Sequence, residues 1–297
     1  MPEEPLPKSR PHPLRAPSIE SHYRNERGYV ELAVTSNFTF LTGGSHPDEL
    51  VIEAARLGHC AAAITDRNSL AGMVRAHVAA KTLGIQLLVG CRIELSEPTG
   101  ISFLVFPTDR DAYAKLCTLL TLGKRRAAKG QCDLSLHDLI EFQMGLLAVA
   151  IPPRVLDEQY IQILQGMKRV FDDDRLSLAM RKGYHQDDAV RMRQVADLGG
   201  HVGVPIVATN DVHYHTPARR PLQDVLTCIR LGKTIDHAGF DLFQNAERHL
   251  KPADEMIHLF RAYPLAIART RHIAARSARC SATPDRRTIA ATVDNPD

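Results

Sequence analysis

Tryptophan is absent from this sequence and other aromatics are sparse. A carbohydrate groove or an aromatic base-stacking platform is therefore not expected. Cys-x-x-Cys pairs are also missing, although there are six cysteines: Cys60, Cys91, Cys117, Cys132, Cys228 and Cys280. Most sit inside apolar runs and read as small buried hydrophobes in a reducing compartment, not as a disulfide frame or a zinc knuckle. No apolar stretch approaches the ~20 residues that span a bilayer. The opening MPEEPLPKSRPHPLRAPS lacks the apolar centre of a secretory signal. A cytoplasmic protein without a membrane partner is expected. A strong charge of either sign is lacking too. The net +3 is too small by itself to imply nucleic acid or a membrane surface.

A glycine-rich nucleotide loop is the last notable absence. LGKT (231–234) carries only the tail of a phosphate-binding loop, with Thr227 where the motif needs glycine. It reads as a helix end with Gly232 as the stop. Gly43-Gly44 likewise reads as a loop after the first strand, with no adjacent lysine for phosphate.

What is present is an alternation. Residues 1 to about 28 are proline-rich and charged, which predicts a disordered arm. YVELAVTSNF (29–38) is strand-like. PDELVIEAARLG (47–58) predicts a helix with Pro47 in its first turn and Gly58 at its stop. CAAAITD predicts a strand, and SLAGMVRAHVAAKTLG (69–84) a helix capped by Asn68 or Ser69. QLLVGCRIEL, ISFLVFP, GLLAVAIP, RLSLAM and PIVATND follow as strands, with helices between most of them. Apolar strands separated by helices predict a parallel sheet covered on both faces. About seven such units fit an α/β barrel over residues 29–250. Residues 251–297 read as a helical extension whose end is frayed.

In such a barrel, chemistry gathers where strands end. Asp66 ends one strand, and Asp211 with His213 ends another. Thr35, Arg92 and Pro152 fall near comparable levels on three more. Two carboxylates and an imidazole suit a divalent ion. Two plainer readings stand beside this. Asp66 could cap the following helix. His213 and His215, alternating on one side of an extended chain, could form a solvated loop edge. GKRRAAKG (123–130) places Lys124, Arg125, Arg126 and Lys129 in a loop after a helix. It reads either as a solvated helix terminus or as a contact for nucleic-acid phosphate or a neighbouring domain.

VELAVTSNFTFLTGGSHPDELVIEAARLG, AAAITDRNSLAGMVRAHVAAKTLGI, LLVGCRIEL, LTLGKRRAAKGQCDLSLHDL and PIVATNDVHYHTP together resemble the N-terminal PHP (polymerase and histidinol phosphatase) domain of bacterial C-family DNA polymerases. The closer resemblance is to the error-prone, damage-tolerant branch, through TSNF, TDRN and GCR. It covers roughly residues 29 to 278. It implies a distorted (β/α)7 barrel with a short helical C-terminal extension leading toward a polymerase core. Near Ser277 the sequence departs from that lead, which suggests a truncated or frame-altered product.

The resemblance also implies a ligand count. Metal-binding members hold three metals through a His-x-His pair, Asp-His, Glu, His, Cys and a final Asp-x-His. Those positions fall here on Ala33 and Thr35, Asp66 and Arg67, Arg92, Ser102, Pro152, and Asp211 with His213. Only Asp66, Asp211 and His213 remain as remnant ligands. A three-metal site is not expected, and no tightly bound cofactor; at most one weak zinc, manganese or magnesium ion is. With metals gone, Arg67 and Arg92 are expected to neutralise Asp66 and Asp211. The full-length family enzyme would use Mg with palm aspartates, which this chain lacks, so no polymerase activity is expected from it alone. Its expected role is a non-catalytic scaffold within a translesion polymerase, with DNA and other replication or repair proteins as partners. The competing expectation is a metal-dependent phosphoesterase or 3′-5′ exonuclease.

Overall fold

The computed structural model describes residues 28–281, so the predicted N-terminal arm and the stretch beyond residue 281 lie outside it. The chain builds α1 (Pro47–Arg56), β1 (Ala61–Ile64), α2 (Met73–Leu83), β2 (Gln86–Val89), β3 (Cys91–Glu94) and β4 (Ser102–Pro107). Next come α3 (Arg110–Arg126), α4 (Leu136–Glu141), β5 (Leu146–Ile151), α5 (Glu158–Val170) and β6 (Leu176–Arg181). The rest is α6 (Asp188–Val202), β7 (Ile206–Thr209), α7 (Arg220–Leu231), α8 (Ile235–Ala238), α9 (Ala253–Leu259) and α10 (Pro264–Ser281). Among the described residues no helix is long and apolar enough to cross a membrane.

β1 pairs in parallel with β2, and β3 to β7 form a second sheet in chain order. β3 continues β2 through Gly90. A side chain there would meet the Phe106 ring and the Thr65 methyl at 2.7 Å, so only glycine lets the strand bend this close to its neighbours. Backbone hydrogen bonds close the ring. Arg92 N donates to Asp66 O (3.0 Å) and joins β3 to the end of β1. Val212 N donates to Ala33 O (2.7 Å), and Thr65 N to Val34 O (2.7 Å), so the extended segment 29–35 lies between β7 and β1. Counting that segment, and β2 with β3 as one, the barrel has the seven expected staves.

One expectation is corrected: the sheet is not all parallel, because β4 runs antiparallel to both β3 and β5. Seven residues separate β3 from β4. A parallel crossover needs a dozen or more, so only a hairpin is possible there. α2 also begins later than expected. Asn68 does not cap it but adopts φ 47° and pairs through its side chain with the backbone of Glu94 (Nδ2 to O 3.2 Å; Glu94 N to Oδ1 3.0 Å). Gly232 does end α7, in the left-handed conformation at φ 63°.

The barrel interior is apolar, with Val30, Leu32, Leu88, Phe106, Val149 and Val207 buried together. α10 supplies Ile273 and Ala274 to the same cluster. Its Thr270 Oγ1 accepts from Val30 N (3.2 Å), and Ser277 Oγ donates to Pro107 O (3.0 Å). α9 and α10 therefore pack onto the barrel without a break after residue 250.

Candidate functional site

β7 ends in Asp211, whose φ of 50° lies in the left-handed region that non-glycine residues seldom occupy. Its amide donates to Thr209 Oγ1 (3.1 Å), which holds the turn. This aims the carboxylate across the barrel mouth into three guanidiniums. Arg92 Nη1, from β3, reaches Oδ1 at 3.0 Å. Arg181 Nη1, at the end of β6, reaches Oδ2 at 2.9 Å, and Arg248 Nη1 reaches the same oxygen at 2.7 Å. Burial pushes the Asp211 pKa up. The charges of Arg92 and Arg248, with His213 and Arg181, outweigh burial and hold it well below the usual carboxylate range.

Arg248 is delivered by a loop, and Asn210 fixes that loop. Asn210 Nδ2 donates to Glu247 O (2.6 Å) and His249 O (2.8 Å), while His213 N donates to Arg248 O (2.9 Å). Asn210 is itself held by the buried Glu31, whose Oε2 accepts from its amide at 2.8 Å. The Arg248 guanidinium lies 3.9 Å from the Phe243 ring centroid, a cation–π contact.

His213 is buried against Phe243 and accepts from Arg248 at Nε2 (3.1 Å). Burial, reinforced by the Arg248 charge, drives its pKa down to about 3. It is a neutral acceptor for an arginine. His215 does not share its surroundings: its Nδ1 pairs with Ser45 Oγ at 2.7 Å. The expected single histidine edge is thus two separate contacts.

Asp66 does not join Asp211. It is fully buried and accepts from Ser36 N (2.8 Å), Ser36 Oγ (2.7 Å) and Thr39 Oγ1 (2.8 Å). Burial raises its pKa, against the lowering effect of those Ser36 and Thr39 hydrogen bonds. Arg67 turns away from it to Glu94 at 3.3 Å, both side chains over two-fifths exposed. Of the two arginines expected to neutralise the aspartates, Arg92 does so and Arg67 does not. Asp66, Asp211 and His213 do not bring ligand atoms together as a metal cluster would; among the described residues only His137, Asp138 and Glu141 of α4 approach that spacing. Asp138 there is already bonded to Arg126 (2.7 Å) and Ser135 (2.8 Å).

The other substituted positions do converge in part. Ala33, Arg92, Pro152 and Asp211 line one cleft of about 580 Å³ at the mouth, together with Arg154, Arg181 and Arg191. Thr35 is buried and Ser102 opens β4; neither lines that cleft. Alanine and proline offer no donor, and four arginines repel a cation. The residues present do not fit a three-metal centre. Of the basic segment, Lys124, Arg125 and Arg126 form the last turn of α3, not a loop, and only Lys129 lies beyond the helix.

Sequence reading missed Arg181, Arg248, Asn210 and Glu31. Arg181 carries a signal, being the first polar residue after the apolar run LSLAM. Arg248 carries none, because only the loop fold brings it back.

The sequence pattern of the family described as PHP domain matches residues 31–235. The error-prone DNA polymerase of Caulobacter vibrioides is 47% identical over 248 residues, 84% of this chain and 23% of that protein. That of Rhodopseudomonas palustris is 45% identical over 254 residues, 83% of this chain and 22% of that protein. The chain thus spans under a quarter of the length of these curated relatives. Among solved structures, an amidohydrolase from Chromobacterium violaceum aligns with a TM-score of 0.49 at 15% identity, over 63% of this chain and 88% of that one.

Proposed function

The chain belongs to the PHP domain family, and from that premise we propose that it is the PHP portion of an error-prone, translesion DNA polymerase and serves there as a non-catalytic scaffold. The observation that carries the reading is the Asp211 cluster. A carboxylate that would ligate metal instead spends both oxygens on Arg92, Arg181 and Arg248. A metal would have to displace these arginines and meet their charge; the protein has replaced the cation with its own side chains. DNA and other replication proteins would be met by the whole polymerase, whose nucleotidyl transfer would reside outside this domain and use Mg.

Metal content by mass spectrometry, on protein purified without chelator and then titrated with zinc and manganese, tests this. The expected result is no stoichiometric ion and an unchanged cooperative melt with or without chelator. Tightly bound ions that are lost in Asp211→Asn would overturn it in favour of a metal-dependent phosphoesterase or 3′-5′ exonuclease.

A further inference from the structure

A second cleft, of about 610 Å³, lies beside the mouth and shares no lining residue with the Asp211 cleft. Phe38 and Phe40, 40% and 78% exposed, stand on its rim. Arg67, Lys124 and Lys129 line it, against the single carboxylate of Glu94. Lys124 and Lys129 form no ion pair among the described residues. Asp133, the next acid along, is bonded to the Ser96 hydroxyl. The cleft therefore carries excess positive charge facing solvent.

The loop bearing the two phenyl rings is fixed from beneath. Ser36 Oγ accepts from Phe38 N at 3.1 Å and donates to Asp66, and Thr39 Oγ1 also donates to Asp66. Phe38 packs against the backbone of Gly72, where a side chain would come within 3.3 Å of the ring. Phe40 projects from this rigid base into water. Few aromatics in the sequence did not predict a stacking platform, but two of its nine phenylalanines meet here beside three cations. Exposed rings beside basic residues, here Lys124 and Lys129 without an ion pair and Arg67 shared with Glu94, are the elements by which proteins hold unpaired nucleotides: π-faces take the bases and cations track the phosphates.

We propose that this cleft binds single-stranded nucleic acid, with a base stacked on Phe40 and neighbouring phosphates on Lys124, Lys129 and Arg67. The assignment is independent of the scaffold reading of the mouth.

The absence of tryptophan makes the test local. Phe40→Trp in the full chain introduces the only indole, which keeps the stacking face and reports on it. Titration with an oligothymidylate of about a dozen nucleotides should quench its fluorescence. A strand of abasic sugar-phosphate, or polyglutamate, should not. Adding Lys124→Gln and Lys129→Gln should weaken binding and flatten the slope of log affinity against log salt by about 1.4, as loss of two single-strand phosphate contacts requires. In the tryptophan-free background, Phe40→Ala should weaken binding of a labelled oligothymidylate about tenfold, within the range for one stacked base. No quenching, equal quenching by polyglutamate, or equal affinity of Phe40→Ala and wild type would overturn the proposal.

Discussion

Arg92 Nη1 lies 3.0 Å from Asp211 Oδ1 and joins β3 to the end of β7 across the barrel mouth. The pair is partly buried, with side chains 21% and 10% exposed, so neither charge is fully hydrated. Arg181 and Arg248 complete the shell, so that one carboxylate is shared by three guanidiniums. This cluster ties together three strands and the 247–249 loop.

Removing the carboxylate leaves these guanidiniums close together with no counter-charge. Asp211→Ala should therefore cost about 3–5 kcal/mol, the penalty of breaking a buried pair from one side. Urea denaturation at neutral pH measures it. A cost under about 1 kcal/mol would mean the cluster is solvated and adds nothing to the barrel.

His213 gives the fold a pH dependence with a definite sign. Its pKa in the folded chain is pushed down to about 3, against ~6.5 when unfolded. The unfolded chain takes up a proton first, so the contribution is present above about pH 6.5 and is lost as pH falls from there toward 3. Between pH 7 and 5.5 wild type should lose about 1 kcal/mol through this residue. His213→Gln should show a flatter profile over that interval in paired urea melts. Parallel profiles would show that His213 titrates normally.

The barrel was legible because its strands are continuous apolar runs with helical spacers, and such runs can only be buried on both faces. The antiparallel β4 was legible in principle from the short Leu95–Ile101 connection, which leaves no length for a crossover. The site was half legible. Asp211 and Arg92 each end or interrupt an apolar strand, so their position at the mouth follows from pattern alone. Arg248 lies in a loop whose path depends on Asn210 bonding to Glu247 and His249, a tertiary contact with no periodic trace. Asp66 shows the converse failure. Its place at a strand end matched that of Asp211, but side-chain direction was set by Ser36 and Thr39, which the pattern does not encode.

Asp66→Ala separates a structural carboxylate from a ligand. It strips acceptors from the buried Ser36 amide and from the Ser36 and Thr39 hydroxyls. The expected loss is about 2–4 kcal/mol of stability, with no change in metal content. Unaltered stability with loss of a bound ion would reverse the assignment.

Glu31 should resist even its amide analogue. Its Oε1 accepts from Ala33 N (2.9 Å) and Thr209 Oγ1 (2.6 Å), and its Oε2 from Asn210 N (2.8 Å) and Tyr29 OH (2.5 Å). Glutamine has one acceptor oxygen. Whichever way its amide turns, an NH2 group faces a backbone N–H, at Ala33 or at Asn210. Glu31→Gln should thus cost about 1–3 kcal/mol and loosen the loop that carries Arg248. Burial raises the Glu31 pKa, against the opposing hydrogen bonds of Thr209 and Tyr29. Its stabilising contribution is therefore full below the unfolded value of ~4.3 and declines as pH rises through the folded one. Glutamine does not titrate, so the gap between variant and wild type should be widest in acid and narrow toward neutral pH. Urea melts of both proteins at pH 4 and pH 7 decide this, and a gap that widens with pH would mean the carboxylate is stabilised as its anion.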